Sequence, residues 1–100
     1  MKKDFTEMET PEITWKNGEF QLRCKGGIAH LKTRPVDDKT INFYSTFVPP
    51  ECRGGGTGAR LVCHGLEWAQ RQALKVVPGC PYVKTVVKRY PQYKELLTES

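Results

Sequence analysis

Four glycines fall within five residues, from Gly54 to Gly58, between a strand-like segment and a helix-like segment. Glycine allows positive φ and lets another group approach the main chain closely. The start of a helix presents unpaired N–H groups and the positive end of a dipole. Because Arg53 and Arg60 flank the glycines, the stretch predicts a phosphate-binding loop at the start of a helix.

The length of the chain indicates how many domains it forms, but its net charge does not identify its ligand. One hundred residues make one domain with one hydrophobic core. The net charge of +5 fits an anionic ligand, nucleic acid or an acidic surface, and equally an ordinary basic surface. We expect a flexible polar tail over residues 1–11 and a folded domain over residues 12–98.

No segment predicts export or membrane insertion. The first residues include two lysines but no apolar stretch after them, and no apolar run is long enough to cross a bilayer. We therefore expect a cytoplasmic protein with reduced cysteines. The cysteines have no zinc-type spacing with each other or with the histidines, so we expect no metal and treat each as a small buried side chain. They are Cys24, Cys52, Cys63 and Cys80.

The first half of the chain predicts an antiparallel meander. Residues 13–16 and 19–24 alternate around Asn17-Gly18, a pair that favours a type I′ hairpin turn. A third strand is expected over residues 28–33, then a turn over residues 35–39. The fourth strand, residues 40–48, is predicted to place Ile41, Phe43, Ser45 and Phe47 on one face and Asn42, Tyr44, Thr46 and Val48 on the other.

The second half predicts a strand–helix–strand unit and a further helix. Apolar residues recur at helical spacing over residues 59–72, and a short strand follows over residues 74–77. Such a unit implies a right-handed crossover between parallel strands. A second helix over residues 81–90 carries the apolar stripe Tyr82, Val83, Val86, Val87 and Tyr90, and residues 92–97 form a short docking tail. The fold class is therefore α/β (α+β).

Several known loops compete for the glycine stretch. A Walker A loop is excluded because no lysine follows Gly58. Gly54, Gly56 and Ala59 match the dinucleotide fingerprint, but no acidic residue ends the next strand. A purely structural turn stays open, although four glycines exceed what a turn needs. The remaining interpretation is a pyrophosphate loop of the form Arg-x-x-Gly-x-Gly, beginning at Arg53.

This loop resembles the coenzyme A loop of the GNAT superfamily of N-acetyltransferases, and the order of elements is similar to that family's fold. The likeness spans about residues 20–97 and narrows to a small single-domain subgroup, the YjdJ-type minimal acetyltransferases. The segments that carry it are Thr46-Phe47-Val48-Pro49-Pro50, the loop, Gly65-Leu66-Glu67-Trp68-Ala69, residues 76–83, and Tyr90-Pro91-Gln92-Tyr93.

The resemblance implies a coenzyme A site where the strand before the loop and the strand after the helix separate. The backbone of Phe47 and Val48 would meet the pantetheine, and Cys80 and Tyr82 would lie near the thiol end. Lys84, Lys88 or Arg89 would meet the 3′-phosphate. The pyrophosphate would be held by Arg53, Gly54, Gly55, Gly56, Thr57 and Gly58.

The catalytic group is less well specified. Cys80 is either a packed thiol or a thiol beside the acyl group that accepts it or assists its transfer. Ser45 stands where the subgroup commonly has a histidine, and a serine does not act as a base near neutral pH without help. His30 and His64 are expected to be structural.

The resemblance implies transfer of an acetyl group from acetyl-CoA to an amine. The acceptor would be a small molecule or a peptide, bound in an open site or one completed by a second subunit, so the chain is a monomer or a homodimer. Neither a nucleic acid nor a membrane is an expected partner. The alternative is a non-catalytic module that binds coenzyme A or a partner through its basic surface.

Overall fold

The computed structural model describes residues 13–24, 26–54 and 56–98. Five strands form one sheet in chain order, from β1 to β5, and two helices with the segment after the second one complete the core. The elements are β1 (Ile13–Lys16), β2 (Glu19–Cys24), β3 (Gly27–Asp37), β4 (Thr40–Phe47), a 3-10 turn (Pro50–Cys52), α1 (Thr57–Arg71), β5 (Lys75–Val77), α2 (Pro81–Arg89) and a second 3-10 turn (Pro91–Leu96). The predicted tail over residues 1–11 lies outside the described residues.

The β1–β2 hairpin forms as predicted. Asn17 and Gly18 have φ values of 50° and 80°, the two positive angles that a type I′ turn requires. The Gly18 carbonyl then accepts hydrogen bonds from both the backbone N–H and the hydroxyl of Thr33 on β3. The turn is therefore fixed to the middle of the sheet as well as to its own strands.

The turn predicted over residues 35–39 is wrong in its first half, because β3 continues to Asp37. Pro35 pairs with Ile41 on β4, and the register shifts between Pro35 and Asp37. Such an irregularity accommodates a residue that has no N–H to donate. The chain reverses only after Asp37, whose carboxylate accepts a hydrogen bond from the Lys39 N–H.

The predicted alternation along β4 is also wrong beyond Phe43. Thr33 of β3 pairs with Phe43, and Lys32 pairs with Ser45, so Tyr44 is an extra residue without a partner on β3. This β-bulge reverses the direction of the side chains that follow it. Phe43 is consequently fully buried, whereas Phe47 is 47% exposed.

The crossover from β4 through α1 to β5 is confirmed. Thr40, Ile41 and Asn42 pair in parallel with the three residues of β5. The buried stripe of α1 packs on the sheet, and Gly65 sits so close to it that an added Cβ would lie 2.7 Å from the Leu31 Cδ2 atom. The fully buried side chains of the core include Phe20, Leu22, Leu31, Phe43, Leu61, Val62, Leu66, Val76 and Val83.

Helix α2 and the segment after it close the other end of the core. The buried residues of α2 are Val83, Val86 and Val87, whereas Tyr82 and Tyr90, predicted in the same stripe, are exposed. The docking tail is confirmed by Tyr93, which is buried. Its hydroxyl donates a 2.6 Å hydrogen bond to Glu67. Burial and this hydrogen bond raise the pKa of Tyr93 to about 12.

Two of the four cysteines contradict the expectation of reduced, separately buried thiols. Cys24 at the end of β2 and Cys52 in the first 3-10 turn form a disulfide, with their Cα atoms 6.0 Å apart. That separation is ordinary for a bridged pair. The disulfide joins residues 28 apart in sequence, so no local sequence pattern predicts it. Cys63 and Cys80 are free, and burial raises the pKa of the Cys63 thiol.

Candidate functional site: the loop before helix α1

A gap opens between β4 and β5 because their pairing covers only three residues. The ladder ends where Asn42 pairs with Val77. One further hydrogen bond follows, from the Cys80 N–H to the Phe43 carbonyl, at 2.9 Å. Beyond it, no described strand pairs with this edge of β4, from Tyr44 to Phe47. The edge therefore leaves room for an extended ligand along the end of β4.

The glycine loop follows directly from this end of β4. Gly54 and Gly56 have φ values of 91° and 80°, and a Cβ at either position would meet nothing within 4 Å. Both therefore provide left-handed backbone beside open space. Gly55, between them, lies outside the described residues.

Helix α1 begins at the end of the loop with no side-chain cap. Gly56 occupies its N-cap position, and the Arg60 N–H donates to the Gly56 carbonyl at 3.0 Å. The backbone N–H groups before Arg60 have no acceptor within the helix, so they point out of its N-terminus. The Thr57 hydroxyl turns back to the Cys52 carbonyl at 3.1 Å and steadies the loop. These outward N–H groups and the helix dipole favour an anion at this point.

The gap and the loop enclose one cavity of about 380 Å³. It is lined by Thr46, Val48, Arg53, Gly54, Gly56, Thr57, Gly58 and Tyr82. The Tyr82 side chain, at the start of α2, lies close to the start of α1. A Cβ on Gly58 would lie 3.0 Å from the Tyr82 hydroxyl oxygen. Most of the residues predicted to hold a coenzyme A pyrophosphate thus share one wall.

Thr46 is a site residue that the sequence analysis missed. Its Oγ1 atom is buried, has no hydrogen-bond partner among the described residues, and belongs to a side chain on the cavity wall. A buried polar group without a partner is costly unless a ligand or water satisfies it. The bulge at Tyr44 turns Thr46 towards the cavity, and no sequence signal located that bulge.

Arg53 is held by the strand that precedes it. Its Nε donates a 2.8 Å hydrogen bond to the Val48 carbonyl. The bond fixes the guanidinium beside the cavity and leaves its terminal nitrogens to meet an anion. It also occupies one of the Val48 backbone groups that the resemblance assigned to the pantetheine.

The two candidate catalytic residues lie apart from this cavity wall. Cys80 is 9% exposed and packs within the hydrophobic core, one residue before α2. Ser45 is partly buried and lies on the opposite face of the sheet, across from Lys32. Phe47 shares the face of Ser45, where it pairs with His30. The structure therefore does not bring Cys80, Ser45 and the loop into one cluster.

Of the three residues predicted to meet the 3′-phosphate, Lys84, Lys88 and Arg89, none lines the loop cavity. Lys84 and Lys88 line a second cavity of about 580 Å³ together with Lys94. This cavity is larger, but no glycine loop or helix N-terminus contributes to its described walls. We therefore regard the loop cavity as the candidate site for a pyrophosphate.

Within the described ranges, no three histidine, cysteine, aspartate or glutamate side chains gather as a metal site would need. In the same part of the chain, no helix combines the length and apolar character needed to span a bilayer.

Comparison with known proteins identifies the family. The family model for GCN5-related N-acetyl-transferases matches residues 19–96. The solution structure of a GCN5-like protein from Staphylococcus aureus superimposes with a TM-score of 0.72 at 25% identity, covering 89% of each chain. No curated protein matches the sequence significantly. The matched range runs from the start of β2 through the glycine loop and both helices. The chain therefore belongs to the GCN5-related N-acetyltransferase superfamily, as its resemblance indicated.

Proposed function

We propose that this chain binds acetyl-CoA in the loop cavity and transfers the acetyl group to an amine. The observation that carries the proposal is the loop from Arg53 to Gly58, which ends at a helix N-terminus beside the gap in the sheet. A diphosphate needs several N–H donors and a positive charge within one short turn. This loop supplies both.

The unpaired edge of β4 would hold the rest of the donor. Pantetheine is an extended chain with amide groups, so it can take the place of a missing neighbouring strand. Thr46 offers a hydroxyl that lacks a partner among the described residues. Backbone N–H groups near Phe47 and Val48 would then polarise the thioester carbonyl, and fixed donors of this kind stabilise the oxyanion that forms as the amine attacks.

Direct transfer fits the site better than a covalent enzyme intermediate. The Cys80 thiol is packed in the core, and Ser45 faces the other side of the sheet. An amine bound on the Ser45 side could reach the thioester through the gap without either residue acting as a nucleophile. Under this proposal the Cys80→Ala variant keeps its turnover, and loss of turnover with intact acetyl-CoA binding would indicate an acyl-cysteine step.

Titration with acetyl-CoA during thermal unfolding tests the binding step. Ligand at about a hundred times its dissociation constant stabilises a protein by roughly 2.7 kcal/mol. We expect Arg53→Glu to weaken binding by at least about tenfold, because it replaces a phosphate-binding charge by a repulsive one. Arg71→Glu makes the same charge change in the last turn of α1 and should leave the stabilisation intact.

Release of free thiol in the presence of amines tests the transfer step. A native chain that acetyl-CoA does not stabilise would contradict the proposal entirely. Stabilisation without thiol release across primary amines, polyamines and amino-terminal peptides would instead favour a non-catalytic coenzyme A-binding module.

A further inference from the structure

One face of the sheet has no helix packed on it among the described residues. Helix α1 covers the face that carries Phe20, Leu22 and Leu31, all buried. The side chains that pair across the strands on the opposite face are polar. Glu19 pairs with Lys32, and Gln21 pairs with His30. Lys32 in turn pairs with Ser45, and His30 with Phe47, so this face extends to the unpaired end of β4.

A histidine and a carboxylate form a fixed pair on this open face. The Nδ1 atom of His30 lies 2.8 Å from a carboxylate oxygen of Glu19, and Gln21 Nε2 donates to the same oxygen at 2.7 Å. The Glu19 side chain is 16% exposed and that of His30 is 30% exposed. The carboxylate is thus held by two neighbours, while the imidazole still reaches solvent.

The charge state of Glu19 decides which nitrogen of His30 is available. Partial burial by itself raises the pKa of this carboxyl. The hydrogen bonds from Gln21 and His30, with the charges of His30 and Lys32, outweigh burial and lower the pKa. An ionised carboxylate can only accept, so Nδ1 carries the hydrogen, and in the neutral form of the imidazole Nε2 has a free lone pair. That lone pair can accept a proton from another molecule.

The position of the pair brings it close to the gap. His30 lies directly across from Phe47, with ring centroids 6.1 Å apart, and diagonally from Ser45. Diagonal neighbours on one sheet face are about 7–8 Å apart, within reach of a long side chain. The exposed Phe47 ring offers an apolar contact beside the imidazole.

We propose that His30 is the general base for the acceptor amine and that Glu19 is its positioning residue. The inference rests on the proposed acetyl transfer and adds the residue that deprotonates the acceptor. The other histidine does not compete for this role. His64 lies on α1, packs edge-on against Phe20 at 5.5 Å, and has its pKa lowered mainly by burial.

The proton balance of the step is complete. His30 Nε2 takes one proton from the acceptor ammonium, and the freed amine nitrogen bonds to the thioester carbonyl carbon. The carbon–sulfur bond then breaks, and the leaving thiolate takes the second proton that the nitrogen loses. His30 returns its proton to solvent, so the products are an amide, free coenzyme A thiol and one released proton.

The test compares His30→Gln with the native chain in thiol release from acetyl-CoA. Glutamine can still hydrogen bond to Glu19 but cannot accept the proton, so we expect turnover to fall by about 10²- to 10⁴-fold. Thermal stabilisation by acetyl-CoA should stay native. Glu19→Gln should cause a smaller loss, and Arg23→Gln, an exposed change on the same strand, should keep native turnover.

The choice of acceptor separates a base from a merely structural residue. Phenethylamine is an ammonium ion at neutral pH, whereas phenylhydrazine is uncharged and needs no prior deprotonation. A missing base should therefore cost far more turnover with phenethylamine than with phenylhydrazine, while a structural defect would reduce both equally. Equal losses, or native turnover in His30→Gln, would overturn the role of His30 alone. No thiol release from the native chain would overturn the proposed transfer and the inference with it, whatever the result of acetyl-CoA binding.

Discussion

The middle and the start of helix α1 both depend on glycine, for opposite reasons. At Gly65 there is no room, because an added Cβ would lie 2.7 Å from Leu31 and 3.1 Å from the Phe43 ring. At Gly54 and Gly56 there is nothing within 4 Å, but φ is positive. Gly65 permits close packing of the helix on the sheet. Gly54 and Gly56 permit a left-handed backbone next to empty space. Open space beside a left-handed glycine backbone lets another group approach the main chain closely.

The two regions also differ in how they are held. The packed region around Gly65 is stabilised by the burial of its own side chains, which interlock within one core. The loop region has few buried side chains and is tied down by its neighbours instead. Those ties are the Cys24–Cys52 disulfide, the Arg53 bond to Val48 and the Thr57 bond to Cys52. The described residues of the loop are therefore held by bonds to their neighbours rather than by burial.

The largest expected effect comes from removing the disulfide that ties the loop region to β2. The bridge closes a separation of 28 residues, for which loop-closure entropy predicts about 3–4 kcal/mol of stability. The double variant Cys24→Ala/Cys52→Ala should lose that amount in urea unfolding. Dithiothreitol should destabilise the native chain and leave the double variant unchanged.

Cys63→Ala, which removes a free thiol, serves as the control. Equal sensitivity of native and double variant to the reductant would show that the bridge contributes nothing.

An intermediate effect is expected in the packed region. Gly65→Val forces extra atoms against Leu31 and Phe43, and overpacking of this kind costs about 1–3 kcal/mol. Gln70→Val places the same side chain on an exposed position of α1 and accounts for the helix propensity of valine. Urea midpoints of the two variants give the difference. If they coincide, the close approach at Gly65 does not limit the fold.

The smallest expected change in stability lies in the loop region. Gly56→Ala meets no neighbouring atom, so its cost is the left-handed backbone alone, about 1–2 kcal/mol. Its new methyl group projects into open space at the cavity wall. Under the proposed function, stabilisation by acetyl-CoA should therefore fall more sharply in Gly56→Ala than in Gly65→Val. The reverse order would mean that the open space at Gly56 is not the ligand site.

Local patterns in the sequence predicted most of the fold. The Asn17-Gly18 turn, the helical spacing of α1 and the crossover to β5 each depend on a few adjacent residues with clear physical preferences. The glycine loop was found for the same reason. The extent of β3 was underestimated, since Pro35 signals a turn in most contexts but here sits at a register shift inside the strand.

Features that depend on distant contacts were not predictable. The Cys24–Cys52 bridge needs the end of β2 to meet the turn after β4. The pair of His30 and Glu19 needs the register of β2 on β3, and a lone histidine in a strand gives no sign of it. The grouping of Lys84 and Lys88 around a second cavity likewise follows from where α2 docks.

The unpaired residue Tyr44 has an effect out of proportion to its size. With strict alternation, Ser45 and Phe47 would point into the protein and Thr46 and Val48 would point to solvent. One inserted residue reverses that order over the last part of the strand. Under the proposed function, β4 can consequently serve two substrates at once, with the acyl carrier on its inner side and the incoming nucleophile on its outer side. One strand would then bring the two reactants together.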